Sequence, residues 1–62
     1  MPTDLAPGMA ASTHVGDAVV MFVAQADDGY YEEIVMKLRR PKWGYSFVLF
    51  RADDFPTLHM VH

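Results

Sequence analysis

The sequence predicts an all-β fold, a four-stranded antiparallel meander, on three observations. Runs of β-branched, aromatic and other apolar residues recur at 18–26, 30–40, 45–52 and 57–62. Turn chemistry separates them: Asp28-Gly29, then Pro41 to Gly44, then Asp53-Asp54-Phe55-Pro56. One pairing register threads all three turns and keeps the same face apolar throughout. The sheet can stay open or curl into a small barrel.

Residues 1–16 are rich in Pro, Gly, Ala and Ser, and read as a flexible N-terminal arm. Residues 17–62 then form a single small β domain. The run 18–26, AVVMFVAQA, has no charge and suits a strand buried on both faces, although a short apolar run does not by itself exclude a buried helix. Asp28-Gly29 follows as a two-residue hairpin turn, because a type I′ turn takes residues that tolerate positive φ.

Residues 30–40, YYEEIVMKLRR, carry two readings. As a helix, Tyr30, Tyr31, Ile34 and Leu38 share a side, acids open the segment, bases close it and Pro41 stops it. That alternative makes the fold α+β. As a strand, the Asp28-Gly29 turn sets Val23 opposite Ile34, Met21 opposite Met36 and Val19 opposite Leu38. All six are apolar, and the strand is preferred on that consistency. Residues 45–52, YSFVLFRA, continue the register with Leu38 opposite Phe47 and Met36 opposite Leu49. Residues 57–62, TLHMVH, end the meander with Met60 opposite Leu49.

This arrangement expects a core of Val19, Met21, Val23, Ile34, Met36, Leu38, Tyr45, Phe47, Leu49 and Met60. It expects a second apolar face of Val20, Phe22, Val35, Val48, Phe50 and Val61. A half-buried antiparallel sheet ordinarily shows polar residues on its second face. A second apolar face marks an interaction surface, and those six residues are the expected oligomer or partner interface.

Size strengthens that expectation. A chain of 62 residues buries only about 60% of its unfolded surface and often needs a staple. It has no cysteine, which excludes disulfides and thiolate zinc sites and fits a reducing, cytoplasmic setting. MPTDLAPGMAAS carries no Lys or Arg and no continuous apolar stretch, so no secretory signal is expected. The longest apolar run is far too short for a membrane helix. At 52% hydrophobic residues the chain is too apolar for disorder. A net charge of −3 makes nucleic acid an unfavoured partner.

Charge is sorted along the meander. Asp27, Asp28, Asp53 and Asp54 fall at one end. Four of the five basic residues fall within 37–43, at the other. Arg39, Arg40, Lys42 and Trp43 are a candidate contact for an anionic ligand or a partner, since guanidinium groups take phosphate or carboxylate and an indole stacks flat groups. The acidic pairs suit turn formation better than a metal site. His59 and His62 point to opposite faces of a strand. No catalytic residue, metal site or cofactor is expected: there is no nucleophile-elbow motif and no phosphate-cradling glycine loop.

The leading expectation is therefore a non-catalytic protein-interaction module (a regulatory, inhibitory or accessory subunit) acting as a homo-oligomer, most simply a dimer. The alternatives are a binder of an anionic ligand or single-stranded nucleic acid through the 39–43 turn, and a small enzyme or metal protein with its site at a subunit interface.

Overall fold

A computed structural model describes residues 5–60 of the chain. They form one antiparallel sheet of β1 (Ala10–Thr13), β2 (Gly16–Gln25), β3 (Tyr31–Lys42), β4 (Tyr45–Arg51) and β5 (His59–Met60), with a 3-10 helix at Ala52–Thr57 before the last strand. The spatial order is β4-β3-β2-β1-β5, so the sheet is open, with β4 and β5 at its edges. Among the described residues no helix is long and apolar enough to cross a membrane.

The all-β reading holds, and residues 31–42 are strand rather than helix. The strand count is five because the stretch read as a flexible arm supplies β1. Its pairs are Ala10 with Val19, Ala11 with Ala18, Ser12 with Asp17 and Thr13 with Gly16. The chain before it is tied to β2 as well: the Gly8 N–H donates to the Val20 carbonyl at 2.7 Å, and the Val20 N–H donates to the Met9 carbonyl at 2.8 Å. The Leu5 N–H donates to the Tyr31 hydroxyl at 3.0 Å. These bonds satisfy backbone groups that burial would otherwise strand.

The third turn also departs from expectation. Residues 52–57 wind into a 3-10 helix, started by the Asp54 carboxylate accepting from the Arg51 N–H at 3.3 Å. The helix carries the chain across to the far edge. Met60 consequently pairs with Ala11 of β1, not with Leu49 of β4.

Register decides which residues are inside. Val23 does lie opposite Ile34, although the turn differs from the expected two-residue type. The loop is Asp27-Asp28-Gly29, closed by Gly29 N–H to Ala26 carbonyl and Ala26 N–H to Tyr30 carbonyl, both 2.9 Å, with Gly29 at φ 87°. This is a three-residue loop whose glycine occupies the left-handed region. An irregularity at Ala24/Gln25 then adds one residue on β3 and restores the expected pairing at Val23.

A second bulge does not cancel. Val20 pairs with Met36 and Phe22 with Val35, so Met21 is the extra residue on β2. Since side chains alternate along a strand, one inserted residue inverts the faces beyond it. β4 is displaced by one position too, with Met36 opposite Val48 and Lys37 opposite Phe47.

The core consequently consists of three rows across the sheet: Val23, Ile34 and Phe50; Val20, Met36 and Val48; and Leu38, Ala18, Ala11 and Met60. Leu5, Phe55 and Leu58 pack into the same cluster from the N-terminal segment and the region of the 3-10 helix. His14, at the tip of the β1–β2 hairpin, presents an edge-on ring contact to Phe50 at 6.0 Å. The hairpin tip thus reaches toward β4 and gives the open sheet a marked curl.

Candidate functional site

The inverted parity redistributes the expected interface. Val20 and Phe50 are 0% and 1% exposed and belong to the core. Val48 shares their face and is half-buried. Phe22 and Val35 pair with one another on the opposite, open face. Val61 lies outside the described residues. Conversely, Val19, Met21, Tyr45, Phe47 and Leu49, expected inside, are partly or largely exposed.

The open face remains strongly apolar. One row across it is Leu49, Val35 and Phe22, and the next is Phe47, Lys37, Val19 and Ala10. Phe22 is 60% exposed and Phe47 56%. Glu33 and Arg51 border these rows and form an exposed ion pair at 3.7 Å, worth about 0–1 kcal/mol. Lys37 stands within the apolar surface, where its methylene stem can lie along the neighbouring rings.

The second candidate lies at the β3–β4 end. Five steps along β3 from Lys37 to Lys42 answer to two on β4, from Phe47 to Tyr45. The strand therefore leaves regular pairing at residues 38–41. Pro41 sits in this stretch, where its missing N–H costs no ladder bond. Trp43 and Gly44 then form a two-residue loop with φ of 53° and 82°, the pattern of a type I′ turn. Trp43 is 82% exposed, and the Lys42 ammonium lies 5.2 Å from its ring centroid.

Residues 39–42 face the β1–β2 corner at 15–17 across a cleft of about 400 Å³. An apolar pocket of about 150 Å³ adjoins it, walled by Leu38, Trp43, Tyr45 and Phe47; Val15 and Lys42 line both spaces. The clustering of Arg39, Arg40, Lys42 and Trp43 was legible in the sequence. The opposing wall follows from the β2–β3 register, since Ala18 opposite Leu38 sets residues 16–17 beside 39–40.

At the other end, the acidic residues serve the turns. The Asp28 carboxylate accepts from the Tyr30 N–H at 3.0 Å, as Asp54 does from Arg51. Among the described residues no three His, Asp or Glu side chains gather as metal ligands.

Trp43 occupies a position that penalises it. A bulky side chain at positive φ is disfavoured, whereas Asn is tolerated there and Asn-Gly is a preferred I′ pair. Trp43→Asn is expected to raise stability by about 0.5–1 kcal/mol, net of the exposed cation–π contact. A urea titration with an unchanged slope and a higher midpoint is the expected result; a lower midpoint would mean that the indole packs usefully at home.

The fold and its two surfaces define a small, open, all-β domain with an unpartnered apolar face and a basic aromatic turn. Comparison with protein-family models, curated proteins and solved structures finds no match to this chain.

Proposed function

We propose that this chain is a non-catalytic protein-interaction module, a regulatory or accessory subunit that acts as a homodimer through the open face of its sheet. The observation that carries this reading is the pair of apolar rows centred on Phe22, Val35, Leu49 and Phe47. Contiguous apolar surface of this kind is costly to leave in water and characteristically covers itself with a partner. Two sheets stacked face to face bury such rows at a spacing of about 10 Å.

Charge placement favours a second copy as the occupant. Glu33 and Lys37 lie on the same face of β3, two residues either side of Val35. A two-fold axis between the sheets, perpendicular to β3 at the level of Val35, sets each Lys37 over the partner subunit's Glu33. The isologous contact then opposes unlike charges across an apolar centre. The absence of cysteine is compatible with a reducing compartment, and the proposal places the protein in the cytoplasm.

Light scattering on the intact protein is expected to give twice the chain mass. Phe22→Asp is expected to halve it with the circular dichroism spectrum unchanged, because Phe22 is exposed within one subunit. A central aromatic anchor is worth roughly 2 kcal/mol or more at an interface. A wild-type mass of one chain at the highest soluble concentration would overturn the proposal, as would a Phe22→Asp variant that stays dimeric.

A further inference from the structure

The β3–β4 turn holds chemistry that a sheet-to-sheet dimer does not use. Arg39, Arg40 and Lys42 fall within four consecutive residues. None of them makes an ion pair among the described residues, where the salt bridge is Glu33 to Arg51 at the opposite end of the sheet. Asp17 lines the same cleft, leaving three cations to one carboxylate. The adjoining pocket is apolar, and Lys42 and Val15 form the boundary between the two spaces. Next to Lys42, Trp43 lines the apolar pocket and is held at positive φ, 82% exposed, in a position where Asn or Gly folds with less strain.

We propose that these adjoining spaces form a binding site for a small amphipathic anion, with a carboxylate or phosphate head among Arg39, Arg40 and Lys42 and a short apolar body against Trp43, Tyr45 and Leu38. Guanidinium groups match the planar geometry of carboxylate and phosphate oxygens. The 150 Å³ apolar pocket suits a short chain or a single ring. The chain's net charge of −3 and its acidic far end disfavour two larger sources of the same chemistry, nucleic acid and an anionic bilayer, whose fields act over the whole protein. A free small anion feels mainly the local cluster.

Trp43 is the chain's single tryptophan, so its fluorescence reports on this site alone. Octyl phosphate, kept below its critical micelle concentration, is expected to shift that emission saturably. Octanol at equal concentration is expected to act at least tenfold more weakly, and raising salt is expected to weaken octyl phosphate but not octanol. The Arg39→Gln, Arg40→Gln double variant is expected to lose tenfold or more in affinity while keeping its urea midpoint. Trp43→Asn, read by calorimetry, is expected to bind less while folding at least as well. Phe22→Asp is expected to bind as wild type does, which separates this site from the dimer face. Equal responses to octanol and octyl phosphate would overturn the proposal by reducing it to general stickiness. Binding of a single-stranded oligonucleotide or of phosphatidylglycerol vesicles, with no saturable response to octyl phosphate, would overturn it in favour of a larger partner.

Discussion

Phe50→Ala is expected to cost about 3–5 kcal/mol, the range for truncating a buried aromatic. Phe50 is 1% exposed, lies in the core row with Ile34 and Val23, and receives the edge of His14. A 62-residue domain has a total stability on the order of 3–9 kcal/mol. One truncation therefore consumes much or all of it. Phe50→Asp goes further, since it puts a carboxylate into the apolar core row of Val23 and Ile34, and that variant is expected to be unfolded in buffer. Its neighbours on β4 define the contrast. Phe47 and Leu49 alternate with Phe50 onto the open face, so Phe47→Ala is expected to cost less than about 1 kcal/mol within one subunit. Urea titrations of the series, read as midpoints at constant slope, measure sheet parity directly. A folded Phe50→Asp beside an unfolded Phe47→Asp would mean that the two faces are exchanged.

That exchange is what a bulge-free reading of the sequence predicts, and the reason lies in two short stretches. The strands β2, β3 and β4 and the places of the turns between them were legible because each rests on local pattern. The Val23–Ile34 pair came out as expected only because a longer turn and the irregularity at Ala24/Gln25 cancel. The bulge at Met21 was not legible. Val20, Met21 and Phe22 are all apolar, so no polar–apolar alternation marks where the strand slips by one. The irregularity at residues 38–41 did carry a signal, Pro41 inside an otherwise regular strand. A four-residue turn at 41–44 with regular pairing behind it sets Leu38 opposite Phe47, one position off the observed Lys37–Phe47 pair. β1 hid for a different reason. Ala10-Ala11-Ser12-Thr13 has little intrinsic strand character, and small residues suit this strand because Ala11 lies buried opposite Ala18. The basic turn was visible as a cluster of residue types. The facing corner at 15–17 lies beside it through the β2–β3 register, where Ala18 is opposite Leu38, but no residue pattern marks the open space between them.

The N-terminal segment yields the second large effect. A chain that begins at residue 14 is expected to lose its cooperative fold. It lacks Leu5, which closes over the core, and Ala11, which fills the row beside Ala18. It lacks the Met9 carbonyl and Gly8 N–H that satisfy both backbone groups of Val20, itself fully buried; groups left unpaired there cost about 1–3 kcal/mol each unless water reaches them. It also strands β5, whose Met60 and His59 pair with β1. These losses together exceed the few kcal/mol that hold so small a domain. Leu5→Ala alone is the graded companion, expected to cost about 2–5 kcal/mol, toward the low end because Leu5 sits at the rim of the core. Hydrogen exchange gives the same test without mutation: the Val20 amide is expected to be protected as strongly as the β2–β3 ladder, because its partner carbonyl belongs to Met9. If the shortened chain instead melts cooperatively at the wild-type temperature, or the Val20 amide exchanges as freely as a loop, residues 5–13 are no part of the folding unit and the core must close without them.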